Sequence, residues 1–327
     1  MKENKNSKKE SRRNFLKLGV GVGITSALSV TGANLLSPGK LKAGTSEKVK
    51  VLTQDGKLVE VDKSELVPVK EDVIGADESR IGLPNRKFVM VIDLGRCNNA
   101  RKCIDACQEG HQLPKDQEWI KVYLLQDTEQ TAPYWLPRPC FHCDNPLCVS
   151  VCPVGATYKR SDGIILVDNK RCIGCKFCMT GCPFSARQFH WKKPTTYDED
   201  REYSPETNIP GKEGTVGKCV FCPDKLRKGE LPRCATACPM GVIYFGDLIE
   251  DTVTNGEETV RFSELIKDRS GYRQFEELGT EPNVYYLPPV DRMFPLERGL
   301  EGITEENMKR YKDVPYIKSL KENGKKI

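Results

Sequence analysis

The 327-residue chain has no cysteine in its first 96 residues and none in its last 89, although it holds fifteen in all. An odd count excludes complete disulfide pairing within one chain. The chain is also far too long for a disulfide-stapled mini-domain, in which cysteine exceeds about 8% of residues. Histidine is scarce, with three residues, which leaves little material for imidazole-based metal chemistry. No Cys-x-x-Cys-His occurs, so covalently attached c-type haem is excluded. No glycine-rich nucleotide fingerprint and no plausible nucleophile–base pair stand out. Beyond Leu36 no apolar run approaches the length of a membrane span. Hydrophobic residues make up only 38% of the chain, against 27 glycines and 21 prolines. Such a composition predicts a loop-rich protein whose core is partly something other than side chains, while 8% aromatics and several β-branched runs argue against disorder.

What is present begins with an address. Ser11-Arg12-Arg13-Asn14-Phe15-Leu16-Lys17 precedes a moderately apolar stretch, Leu18 to Leu36, diluted by Gly, Ser and Thr. Paired arginines followed by Phe-Leu-Lys match a twin-arginine export signal. The competing reading is the basic start of a cytoplasmic protein. Cleavage near Ala43 fits, but Leu41 at the −3 position is poor, so an uncleaved anchor is the alternative. The twin-arginine route carries folded proteins, typically with a cofactor inserted beforehand, and a periplasmic protein held by disulfides would not need it. Residues 1–43 hold nine Lys/Arg and two Asp/Glu, so without them the formal balance moves from +5 to −2. The basic excess belongs to the leader, and no nucleic-acid partner is implied. The mature protein is expected to be periplasmic, soluble or peripheral on a membrane complex.

The cysteines fall into four groups. The clearest is Cys172-Ile-Gly-Cys175-Lys-Phe-Cys178-Met-Thr-Gly-Cys182-Pro183. This C-x2-C-x2-C-x3-C-P run is that of bacterial ferredoxins: three close thiolates wrap one cubane and the fourth reaches a second cluster. The group at 140–153 has Cys140, Cys143, Cys148 and Cys152 before Pro153, and the one at 219–239 has Cys219, Cys222, Cys234 and Cys238 before Pro239. Each proline directs the chain out of a helix-like turn. The first group, Cys97-Asn98-Asn99-Ala100-Arg101-Lys102-Cys103-Ile104-Asp105-Ala106-Cys107, keeps the spacing but has Ala100 where a ligand belongs. Phe88–Asp93 is a strand candidate leading into it. Arg160-Ser161-Asp162-Gly163 signals a tight turn before a returning strand at Ile164–Asp168. Strand, cluster loop, short helix and strand form the ferredoxin unit, here duplicated. Zinc ribbons also use C-x2-C pairs, but they do not usually repeat C-x3-C-P three times.

These motifs resemble the four-cluster iron–sulfur subunits of the complex iron–sulfur molybdoenzymes and their relatives, among them polysulfide, tetrathionate and nitrite reductase subunits and alternative complex III. The likeness runs from about Lys87 to Asp291 and includes Ser270–Pro282 and Tyr285-Tyr286-Leu287-Pro288-Pro289. It implies an α+β fold of two ferredoxin-like modules, the second inserted in the first, with loop-rich extensions. The corresponding division is a signal peptide at 1–43, an extension at 44–86, a split module at 87–138 plus 218–250, an inserted module at 139–192, a connecting loop at 193–217 and a wrapping tail at 251–327. Carried over by motif, Cys140, Cys143, Cys148 and Cys182 would hold one [4Fe-4S] cluster. Cys172, Cys175, Cys178 and Cys152 would hold a second, and Cys219, Cys222, Cys234 and Cys107 a third. Cys97, Cys103 and Cys238 would hold a [3Fe-4S] cluster, or an atypical [4Fe-4S] cluster completed by water, Asn98, Asn99 or Asp105, or none. The resemblance further implies electron transfer without bond chemistry, between a multi-span quinone-interacting membrane subunit and a molybdopterin catalytic subunit or multihaem cytochrome. A free-standing polyferredoxin shuttle and a zinc-binding structural adaptor are the rival readings. Arg187 and Lys176 are candidates for tuning neighbouring clusters or for plain solvation. His111, His142 and His190 read as packing or surface residues, and Ser319–Ile327 as a fraying basic end.

Overall fold

A computed structural model describes residues 48–52, 58–62, 75, 77–193, 203–290 and 296–323. The leader and about half of the extension at 44–86 lie outside the described residues, as does part of the connecting loop. The chain divides into two units, 1–72 and 73–327. In the first, β1 (Lys48–Leu52) and β2 (Leu58–Asp62) form an antiparallel pair, Lys48 opposite Asp62.

The second unit is built on one five-stranded sheet. Its centre is β3 (Phe88–Asp93), a Phe-Val-Met-Val-Ile-Asp run buried at every position. Continuous apolarity suits a strand covered on both faces. Phe88, Met90 and Ile92 enter the main core, whereas Val89 and Val91 enter a smaller core behind the sheet. The flanking hairpins are β4 (Lys121–Leu125) with β5 (Tyr134–Arg138), β6 (Thr157–Lys159) with β7 (Ile165–Val167), and β8 (Gln188–Phe189) with β9 (Val216–Gly217). The sheet then continues through β10 (Ile243–Asp247), β11 (Thr252–Thr254), β12 (Thr259–Arg261) and β13 (Val284–Leu287), in the spatial order β12-β11-β10-β3-β13. Strand β10 runs antiparallel to β3, Phe245 opposite Met90, and β13 runs parallel to β3 on the other side.

Short helices follow the cysteines: α1 (Lys102–Gly110), α2 (Leu147–Ser150), α3 (Phe177–Thr180), α4 (Pro223–Leu226) and α5 (Arg233–Thr236). Behind the sheet lies α6 (Phe262–Asp268), and the tail carries α7 (Glu305–Met308) and α8 (Pro315–Glu322). The tail end is ordered further than its basic composition suggests. Ile317 and Leu320, three residues apart on α8, are buried with Trp135, Val122 and Ile104, so Ser319–Glu322 completes a helix rather than fraying. Tyr311 adds an O–H bond to the Val122 carbonyl at 3.0 Å. The fold is mixed α and β, as the motifs imply. No helix among the described residues is long and apolar enough to cross a membrane.

Candidate metal centre

All fifteen cysteines are free thiols. Backbone conformation, not helix propensity, sets their direction. In the group beginning at Cys172, Gly174 (φ 72°) and Lys176 (φ 63°) lie in the left-handed region, turning the loop back before α3. A Cβ on Gly174 would stand 2.2 Å from the Gly214 carbonyl oxygen, so this position requires glycine. The group beginning at Cys97 repeats the same path. Asn99 (φ 57°) and Arg101 (φ 59°) occupy the matching positions before α1. The loop therefore keeps its shape although Ala100 replaces the second thiol. Arg101 is held by Glu118 at 2.5 Å, and Glu118 also binds Arg310 at 2.8 Å.

Two hollows open between these loops. One is lined by Cys152, Cys172, Cys175 and Cys178, with Ala156, Thr157 and Val216 as walls. The other is lined by Cys97, Cys103 and Cys238, with Ala100, Val122 and Ile243. Two further sets are packed into the core. Cys143 has Cys140, Cys148 and Cys182 within electrostatic reach, and Cys234 has Cys222, Cys219, Cys107 and, last, Cys103. The last ligand of one sequence group thus joins the first three of another.

Burial pushes Cys97, Cys143 and Cys219 up to about 12 and also raises Cys103, Cys107 and Cys234, with neighbouring sulfurs adding to the effect, so without a metal these side chains stay protonated. Grouped thiolates in a dry pocket need a cationic centre between them. Cys152 differs: burial would raise it, but the N–H groups of Thr157, Val154 and Ala156 outweigh that and lower it. The Thr157 N–H lies 3.4 Å from Cys152 Sγ, and the Val242 N–H lies 3.5 Å from Cys238 Sγ. Backbone donors at sulfur are a device for tuning iron–sulfur potentials. No three Cys, His, Asp or Glu side chains among the described residues converge closely enough to hold a single ion.

Residues 131–200 match the model of the 4Fe-4S dicluster domain family. One selenate reductase subunit, from Mesobacillus selenatarsenatis, is 36% identical over 302 residues, covering 86% of this chain and 99% of the relative. The chain belongs to the iron–sulfur subunits of the complex iron–sulfur molybdoenzymes and their relatives. One tetrathionate reductase subunit, from Salmonella typhimurium, is 34% identical over 227 residues, covering 68% of this chain and 81% of its own. The menaquinone reductase iron–sulfur cluster-binding subunit of Nitratidesulfovibrio vulgaris is 37% identical over 233 residues, with 62% and 88% covered. Membership makes this iron–sulfur subunit an electron carrier of a multisubunit reductase complex rather than its catalytic part.

Several side chains around the sulfurs escape a reading based on cysteine spacing. His111 Nε2 lies 3.3 Å from Cys222 Sγ. Arg233, bridged to Asp224 at 3.0 and 2.5 Å, also faces Cys222. Arg187 is 4% exposed, which rules out simple solvation, and its guanidinium meets Cys148 and Cys178. Lys218 is completely buried beside Cys219. The available signal was a basic residue adjoining a ligand, as Lys218 adjoins Cys219 and Arg233 adjoins Cys234. Among the proposed substitute ligands Asn98 has its oxygen engaged, whereas Asn99 Oδ1 is buried without a hydrogen-bond partner among the described residues. Asn98 Oδ1 accepts the Ala100 N–H at 3.1 Å and its Nδ2 reaches Met240 Sδ at 3.4 Å. Asn99 Nδ2 donates to the Gly299 carbonyl at 2.9 Å, and Asp105 is exposed beside Lys102. Lys176 lies over the rings of Trp191 and Phe189, at 3.8 and 4.2 Å from their centroids.

Proposed function

We propose that the protein is a periplasmic four-cluster electron wire, exported folded by the twin-arginine route. It would join a quinone-interacting membrane subunit to a molybdopterin or multihaem-cytochrome partner. The observation that carries this reading is the gathering of fifteen free cysteines into three sets of four and one of three. In this reading Cys140, Cys143, Cys148 and Cys182 hold one [4Fe-4S] cluster, and Cys152, Cys172, Cys175 and Cys178 a second. Cys107, Cys219, Cys222 and Cys234 hold a third. Cys97, Cys103 and Cys238 hold a [3Fe-4S] cluster, supported by the exposed methyl of Ala100 and by the engagement of Asn98 with the Ala100 N–H and Met240. When bound, the clusters supply one-electron transfer, and the chain supplies spacing, burial and hydrogen bonds to sulfur.

The pairing of β3 with β10 supports a split module in which the groups at 97–107 and 219–238 share one sheet around an insertion at 139–192. A relative named for menaquinone supports the quinone-linked partner. The loaded protein should contain about fifteen irons per chain and show the resonance of an oxidised three-iron centre. A colourless, zinc-bearing protein would sink the reading. Replacing Arg12 and Arg13 by lysine should leave the loaded chain in the cytoplasm. Unchanged delivery to the periplasmic fraction would refute the export route.

A further inference from the structure

Two buried cations stand where the cysteine sets meet. Lys218 Nζ donates to the carbonyl oxygens of Ile165 and, at 2.8 Å, of Cys219. His142 spans the same two residues. Its Nδ1 accepts the Ile165 N–H at 3.0 Å, so the neutral ring donates from Nε2 to the Cys219 carbonyl at 3.1 Å. The ring also stacks on Phe221 at 3.8 Å. Cys140 and Cys219 are neighbours across this junction, and Lys218 is within electrostatic reach of both. Arg187 occupies the next junction. Its Nη1 donates to Thr157 Oγ1 at 3.2 Å, and the guanidinium faces Cys148 of one set and Cys178 of another.

Among the described residues the buried Arg160 is answered by Asp162 and Glu206, and the half-buried Arg233 by Asp224. Among the described residues neither Lys218 nor Arg187 has a carboxylate partner, and the groups of opposite sign facing them are cysteine sulfurs. A buried, unanswered charge is costly unless something of opposite sign is brought to it. Cys140 and Cys148, of the set formed by Cys140, Cys143, Cys148 and Cys182, lie within electrostatic reach of both cations.

We propose that Lys218 and Arg187 set the reduction potential of the centre held by Cys140, Cys143, Cys148 and Cys182, favouring the electron on that centre over its neighbours. The step is a one-electron exchange: a reduced neighbouring centre is oxidised as this one is reduced, and no bond or proton changes place. Each added electron deepens the negative charge near these two cations, so the reduced state gains more than the oxidised state. Both are positioning residues, because neither offers a ligand to iron. The inference rests on the cluster assignment proposed above.

The test is a potentiometric titration of the loaded protein in its complex, followed by paramagnetic resonance, with iron content measured on every sample. Lys218→Met and Arg187→Gln remove charge, whereas Arg187→Lys retains it. With iron content unchanged, each charge-removing variant should shift the reduction equilibrium of one centre tenfold or more toward oxidised, about 59 mV for a one-electron couple. Arg187→Lys should move it far less. Unmoved potentials at full iron content overturn the proposal, as does an equal shift in Arg187→Lys and Arg187→Gln. Should Lys218→Met lose its iron, the Arg187 pair decides alone. A wild-type protein without iron–sulfur resonances fails the underlying assignment, a result distinct from an unmoved potential.

Discussion

Ala100 is a methyl group at the position where its counterpart loop carries Cys175, and the backbone around it has not adapted to the change. The left-handed turns at Asn99 and Arg101 match those at Gly174 and Lys176, and three of the four are adopted by residues with side chains at some energetic cost. Arg101 is secured in that conformation by Glu118. The loop thus remains shaped for a fourth thiol. Ala100→Cys should raise iron content by one per chain and remove the three-iron resonance. Because the position is exposed, stability should change by less than about 0.5 kcal/mol. A variant that keeps the three-iron resonance would show that the loop cannot present a sulfur there.

The turn between β6 and β7 shows how an element is held by ionised side chains in a small core. Asp162 lies inside the turn, accepts the N–H groups of Leu83 and Ile164, and pairs with Arg160 at 2.5 Å, both side chains being fully buried. Glu206 closes the group by binding Arg160 and Arg227. Removing Asp162 leaves Arg160 with Glu206 alone and strips the Leu83 and Ile164 N–H groups of their acceptor, so Asp162→Ala should cost about 3–5 kcal/mol. Urea denaturation of the loaded protein measures the loss, and a change below about 1 kcal/mol would contradict this account. The Arg160–Gly163 turn and the strand after it were legible in the sequence. The ion pairs were not, because Glu206 comes from a distant segment. Likewise α8 was hidden by its lysines, since the apolar pair Ile317 and Leu320 acquires meaning only against Trp135 and Tyr311.

For the whole second unit, Asp144 joins segments far apart in the chain. It binds Lys87 before β3 at 2.5 Å, Lys159 on β6 at 2.9 Å and Asn283 before β13 at 3.0 Å. Burial alone would raise its carboxyl, but these three donors outweigh that and hold it at about 2, below the usual 3.8. The folded value is depressed, so this stabilisation is complete above the unfolded value and fades as pH falls from about 4 toward 2. It amounts to roughly 1–2 kcal/mol after allowance for partial exposure. Asp144→Asn should flatten acid unfolding in that window, and an unchanged acid profile would contradict the coupling. Iron removal should act more strongly, because the buried thiols then lose the centre that balances them. Chelation under reducing conditions should lower circular dichroism and tertiary fluorescence together, and an apo-chain with native spectra would show that side chains alone suffice.

Cysteine spacing and the proline after three of the four groups were enough, by themselves, to point to ferredoxin-type loops and to the missing thiol at Ala100, because those loops are local and most of their cysteines lie within a few residues. The buried run Phe88–Asp93 was readable for the same reason. Tertiary structure decided what lies between the loops: the last cysteine of one group beside the first three of another, and the answered and unanswered cations. Lys218 and Arg187 look like ordinary surface charges in one dimension. Only folding, which brings Ile165 against Cys219 and Cys148 near Cys178, removes water from both and turns them into fixed charges among sulfurs.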